Sequence, residues 1–300
     1  MENRIKQGFL KTNEKFVKNC DELFEEELSF GVKKLVDGRN LRVIGLTGPT
    51  CSGKTTAAKK LISYLGDSQK IVHIISLDDF YKEVFSRQEL DSLDISKVDF
   101  DSPDTLDTEL FEKFVTELFT KGSATKPIFD FKTGERKERE SFVADDDDVF
   151  LLEGIQVLYP KVISVIEKMG GAIMCVCPQS SIAVEGKTFE PNLIRLCRRL
   201  VRDTNFRGSD PEFTFSVWDG VRKNEEENIF PHLHVCDVMV DTTHAYELNI
   251  LAPYLRKYLS GISAGDKHYG KAMEILDMFS HIEGIDSKVI SKGSLYHEFV

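Results

Sequence analysis

Apolar residues along this chain gather into short runs separated by longer, more polar stretches. Leu41–Thr47 (LRVIGLT), Lys70–Leu77 (KIVHIISL), Val149–Glu153 (VFLLE), Ala172–Cys177 (AIMCVC) and Cys236–Asp241 (CDVMVD) are the runs. Each is short, rich in β-branched residues and bounded by polar or turn residues, the pattern of strands buried on both faces of a sheet. Between and after them, residues 55–62, 160–169, 211–227, 245–259 and 267–281 carry apolar residues at helical spacing. Strands alternating with helices predict an α/β fold built on a parallel sheet. Residues 1–36 also read as helical, with Phe9, Phe16, Leu23, Phe24, Leu28 and Leu35 recurring among Lys and Glu, before a turn at Asp37-Gly38-Arg39-Asn40. A further helix is expected from Asp99-Phe100-Asp101-Ser102-Pro103-Asp104 to about Lys121, with the proline in its first turn. Lys126–Phe131 and Arg136–Val143 flank Lys132-Thr133-Gly134-Glu135, a hairpin signal. Asp145–Asp148 reads as a solvated acidic turn, and Ser294–Val300 shows no pattern.

The segment joining the first strand to its helix is Gly48-Pro49-Thr50-Cys51-Ser52-Gly53-Lys54-Thr55. It fits the phosphate-binding pattern of Gly, four variable residues, Gly, Lys, and Ser or Thr, and it stands between a strand and a helix as that motif requires. Backbone N–H groups of such a loop wrap an anion, aided by the helix N-terminus. Lys54 is expected on the terminal phosphates and the Thr55 hydroxyl on Mg²⁺. The next strand ends at Asp78-Asp79-Phe80-Tyr81, outside the carboxyl ends of the strands where open α/β sheets bind ligands. One of the two carboxylates would take the proton of an attacking hydroxyl, and Asp78 at the strand end is the candidate base; the alternative is a helix N-cap at Asp79 beside a solvated aspartate. Val149–Glu153 ends in an acid that would hold Mg²⁺ or its water, and Gly154 is read as room for the nucleotide. Phe129 and Phe131 share one face of the hairpin, where they would stack on a flat ring or cover the sheet. Asp101 is a cap or a ligand for sugar hydroxyls.

Arg195, Arg198, Arg199 and Arg202 stand at i, i+3, i+4 and i+7, on one helical face, and Arg207 follows in the next loop. The expected reading is a mobile lid whose arginines neutralise charge on a transferring phosphoryl group and exclude water.

Composition narrows the partners. With 300 residues the chain is long enough for one large α/β domain or two small ones. It carries 39 basic and 50 acidic residues, a net charge of −11, which argues against broad nucleic-acid or membrane-surface binding. Six cysteines without zinc-site spacing are read as free thiols in a reducing compartment. Cys175 and Cys177 read as packed in the core. His232 and His234 read as surface or packing residues. No run is apolar enough to span a membrane, and the N-terminus shows no signal core, so a cytoplasmic protein is expected.

The ordered blocks Gly48–Thr55, Ser76–Tyr81, Asp99–Asp104, Phe129-Asp130-Phe131, Leu152-Glu153-Gly154 and Arg195–Asp203 together resemble the uridine kinase/phosphoribulokinase family of P-loop kinases, over roughly residues 41–245. Thr204–Gly208, Val221–Pro231 and Tyr246-Glu247-Leu248 look most like a bacterial-type uridine kinase-like subgroup. The resemblance implies a P-loop sheet flanked by helices, with an inserted hairpin (126–143) and an arginine-bearing lid (195–212). The core would span 41–262, with 1–40 an N-terminal packing or dimer element and 263–300 a C-terminal helix and tail. It implies transfer of a phosphoryl group from ATP or GTP, with Mg²⁺, to a nucleoside 5′-hydroxyl. Asp78 would be the base. Residues 48–56 with Arg207 would bind the nucleotide, Thr55 and Glu153 the metal. Tyr81, Asp101, Phe129, Phe131 and Arg195 would contact the nucleoside, while Lys54, Arg198 and Arg202 would act on the phosphates. Uridine kinases usually have Tyr where Phe129 stands and a pyrimidine-reading His where Gly134 stands, so the polar reader of the uracil edge is absent here. A kinase for another small alcohol and a nucleotide-binding regulatory module are the alternatives.

Overall fold

The computed structural model describes residues 4–66, 70–83, 102–130 and 135–300. Strand β1 (Ile5–Gln7) leads into helix α1 (Glu14–Val36), and β2 (Val43–Thr47) into α2 (Lys54–Gly66). β3 (Val72–Ser76) is followed by α3 (Thr108–Lys121), the hairpin β4 (Ser123–Asp130) and β5 (Glu135–Val143), β6 (Val149–Glu153) and α4 (Pro160–Lys168). Then come β7 (Ala172–Cys177), β8 (Ser181–Val184), β9 (Lys187–Phe189), α5 (Pro191–Arg202), α6 (Pro211–Asn224), β10 (Val238–Asp241), α7 (Glu247–Leu259) and α8 (Tyr269–Met278).

All five expected apolar runs are strands of one sheet, in the order β10-β7-β2-β6-β3, and every pairing within it is parallel. Successive side chains of a strand point to opposite faces, and the two cores follow that rule. Ile44, Leu46, Leu151, Met174 and Val176 join α1 and α2 on one side. Val43, Phe150, Leu152, Ile173 and Cys175 join α3, α4 and the hairpin on the other. Each such side chain contributes about 1.5–3 kcal/mol on leaving water. Gly45 is required by this packing, because a Cβ there would lie 2.7 Å from Val157 Cγ1 and 3.0 Å from Ile166 Cδ1.

The structure departs from the sequence pattern at the ends of elements. The expected single helix over 1–36 is a strand and a helix. Asn13 caps the helix by accepting a hydrogen bond from Phe16 N (2.9 Å), and Ile5–Gln7 pairs in parallel with Ser181–Ala183. α1 itself buries Val17, Phe24, Leu28, Val32 and Leu35 against the sheet, so this extension is part of the core. The helix expected to open near Asp99 has Pro103 in a separate 3₁₀ turn (Pro103–Thr105), and Asp107 caps α3 through Leu110 N. α6 stops at Asn224 and continues as a π turn (Glu225–Ile229). The tail that showed no pattern forms a 3₁₀ turn (Leu295–Glu298) with Leu295, Tyr296 and Phe299 buried. Cys175 and Cys177 are buried as expected, their sulfurs 4.0 Å apart.

Candidate active site

The loop from Gly48 to Gly53 has the backbone of an anion cradle. Gly53 has φ +90 and Cys51 φ 57, conformations that turn successive N–H groups inward. The N–H groups of Cys51, Ser52 and Gly53 find no acceptor among the described residues. Gly48 has to be glycine, since a Cβ would sit 2.1 Å from Val176 O and 2.6 Å from Ser52 Oγ. Lys54 starts α2 and folds back over the loop, donating to Gly48 O (2.8 Å) and Pro49 O (3.2 Å). Thr55 beside it is exposed.

Across from the loop, β3 delivers Asp78 in a short 3₁₀ turn (Leu77–Phe80) whose Leu77 and Phe80 are fully buried. Burial pushes the Asp78 carboxyl above its ordinary value, against the opposing pull of a hydrogen bond from Gln156 and the positive charges of Lys54 and Arg207. Gln156 donates to Asp78 Oδ1 (2.7 Å) and to the Tyr81 hydroxyl (2.7 Å). Asp79, expected as a cap, instead anchors the hairpin. It accepts from Lys126 Nζ (2.6 Å) and from Phe129 N (3.3 Å). That anchor brings Phe129 against Tyr81, ring centroids 5.7 Å apart. Asp101, Phe131 and Gly134 lie outside the described residues.

Glu153 closes β6 beside β2. Burial raises its pKa and the Lys54 charge lowers it, the first effect prevailing. No described residue donates a hydrogen bond to its carboxylate. A partly buried carboxylate without a described donor, within the field of Lys54 at the start of α2, has the chemistry of an oxygen ligand for a hard divalent cation. No three His, Cys, Asp or Glu side chains among the described residues gather into a metal site of their own. Gly154 was expected to make room for the nucleotide. It makes room for Gln156, because a Cβ at Gly154 would stand 2.2 Å from Gln156 Oε1.

The arginine face needs the largest correction. α5 is packed, not a flap, burying Ile194, Leu196, Cys197, Leu200 and Val201. Arg198 is wholly enclosed: its guanidinium binds Glu247 through Nε (2.7 Å) and a second nitrogen (3.0 Å), and reaches Thr242 O (2.8 Å), Tyr296 Oη (3.0 Å) and Cys51 O (3.3 Å). Arg195 pairs with Glu225, donates to Thr50 O (3.2 Å) and lies over Trp218. Both arginines therefore tie α5 to carbonyls of the phosphate loop, and their charges are paired with Glu225 and Glu247. Arg199 and Arg202 pair with Asp203. Arg207 is the exposed member, 3.8 Å from Asp203.

Two contacts were missed from the sequence. One is Gln156. The other is Glu298, whose carboxylate accepts from Thr56 N (2.7 Å) and Thr56 Oγ1 (2.6 Å) at the first turn of α2. A carboxylate there takes up an N–H that a bound phosphate would otherwise use.

Known proteins resemble this chain. A model of the "Phosphoribulokinase / Uridine kinase family" matches residues 43–249. The chain is 30% identical to a uridine kinase of Clostridium botulinum over 200 residues, covering 66% of this chain and 86% of that one. It is 28% identical to uridine-cytidine kinase 2-B of Danio rerio over 227 residues, 73% of this chain and 80% of that one. A solved structure described as a possible uridine kinase from Bacillus stearothermophilus aligns with TM-score 0.46 at 18% identity, covering 73% of this chain and all of that one (100%).

Proposed function

Since the chain belongs to the phosphoribulokinase/uridine kinase family, we propose that it transfers a phosphoryl group from ATP to the 5′-hydroxyl of a pyrimidine nucleoside. The observation that carries this is the Asp78 carboxylate held beside Tyr81 and Phe129 and facing the charge of Lys54. A phosphate loop alone serves motors, switches and kinases. A strand-end carboxylate next to an aromatic wall adds a place for an alcohol on a flat molecule.

In this reading the backbone of 48–56 and Lys54 bind the phosphates. Thr55 and Glu153 would hold Mg²⁺, which supplies charge neutralisation at the phosphates when bound. Asp78 takes the proton of the 5′-hydroxyl. Tyr81 and Phe129 flank the nucleoside. Arg202 and Arg207, both beside Asp203, would meet phosphoryl charge, whereas Arg195 and Arg198 are paired with Glu225 and Glu247.

The test is a panel of uridine, cytidine, adenosine, 5′-deoxyuridine, pantothenate and a sugar phosphate, each with ATP or GTP and Mg²⁺. Phosphorylation of uridine or cytidine and none of 5′-deoxyuridine is expected, with Lys54→Ala abolishing nucleotide binding. Turnover confined to the sugar phosphate or pantothenate would replace the nucleoside with another alcohol.

A further inference from the structure

Gln156 lies in a turn of otherwise apolar residues, Ile155-Gln156-Val157-Leu158, and is fully buried (0% exposed). Its amide nitrogen uses both hydrogens, one on Asp78 Oδ1 and one on the Tyr81 hydroxyl, each at 2.7 Å. Its amide oxygen finds no partner among the described residues. The orientation is fixed by chemistry, since turning the amide over would aim Oε1 at a carboxylate. The turn is shaped for this side chain. Gly154, with φ +156, leaves the space that Oε1 occupies.

A residue serving only to fill this space would be better as hydrocarbon. A buried acceptor without a partner costs stability, and replacing it with an apolar group of the same shape removes that cost. What an apolar group lacks is the donor that ties Asp78 to Tyr81. We propose that Gln156 is a positioning residue for phosphoryl transfer: it fixes the Asp78 carboxylate and the Tyr81 hydroxyl in one arrangement across the acceptor site. The inference rests on the reading of Asp78 as the base. A carboxylate on a short turn has a free final torsion. A single donor on one oxygen sets that torsion and leaves Oδ2 to receive the substrate proton. Misplacement of a reacting group by about 1 Å can cost on the order of 10²-fold in rate, so the effect belongs in kcat.

The test is Gln156→Met, nearly the same shape without the donor. A fall in kcat of at least about tenfold is expected, with the KM for ATP within a factor of about two and the fold retained by circular dichroism, any loss of melting temperature reflecting the donor taken from Asp78. Tyr81→Phe combined with Gln156→Met should lose less than the product of the two single losses, since the two side chains act through one contact. Gln156→Glu, which sets a second carboxylate against Asp78, should lose activity too, and it stands in if the Met variant does not fold. An unchanged kcat in Gln156→Met, a fall matched by a rise in the KM for ATP, or multiplicative effects with Tyr81→Phe would each overturn the proposal. Inactivity of Asp78→Asn alongside a fully active Gln156→Met would sink this inference alone. Full activity of Asp78→Asn would sink the reading of the base.

Discussion

Replacing Arg198 by Met separates two accounts of the arginine face. If Arg198 acted on the phosphoryl group, its loss would slow the reaction and leave the fold intact. The structure predicts the opposite emphasis. Glu247 is 0% exposed and its carboxylate takes both guanidinium bonds, at 2.7 and 3.0 Å. Burial works against the Arg198 charge, but the charge and hydrogen bonds of Glu247 and Tyr296 prevail and raise its pKa, so the arginine stays charged at any working pH. Without the arginine, Glu247 keeps the N–H of His244 at 3.0 Å and the Tyr296 hydroxyl, neither of which carries a positive charge. Breaking one side of a buried pair costs about 3–5 kcal/mol. At about 2–4 °C per kcal/mol for a large domain, the melting temperature should fall by about 10 °C. The double variant Arg198→Met/Glu247→Leu should recover part of that loss, because no uncompensated charge remains. Melting would be followed by circular dichroism, with phosphorylation assayed well below the transition. A variant that melts within about 2 °C of wild type and has lost phosphoryl transfer would refute the account and restore Arg198 to the reaction.

Two further outcomes follow from the same contacts. Glu298→Gln removes the negative charge from Thr56 N and Oγ1, so ADP should bind several-fold tighter by titration calorimetry; weaker binding would show that the tail supports the site. Asp241 is partly desolvated, yet Lys6 and donors from Ser180, Gln179 and Thr243 hold it down from 3.8 to about 2. Its stabilising contribution is thus full above pH 3.8 and is lost as pH falls through about 2. Asp241→Asn should flatten acid unfolding in that window, and an unchanged acid limb would contradict the assignment.

Much of the framework was legible because it is local. Each strand of the sheet is a contiguous apolar run, and the phosphate loop is one segment with a fixed spacing. The arginine periodicity was also legible, placing Arg195 and Arg198 on a common helical face. Their partners were not. Glu225 and Glu247 lie 30 and 49 residues further on, and nothing in a helical repeat says whether a guanidinium meets a phosphate or a buried glutamate. Glu298 was missed for the same reason, at a separation of 242 residues from Thr56. Gln156 did leave a signal: a lone amide among Ile155, Val157 and Leu158, three residues after the glutamate that ends β6.

The central claim is tested most directly by Asp78→Asn. With ATP, Mg²⁺ and the nucleoside that wild type phosphorylates fastest, the account predicts loss of turnover by a factor of at least about 10², with ATP affinity unchanged. The substituted amide keeps the shape of the side chain and cannot take the hydroxyl proton. Turnover within about tenfold of wild type would contradict the assignment of Asp78 as the base.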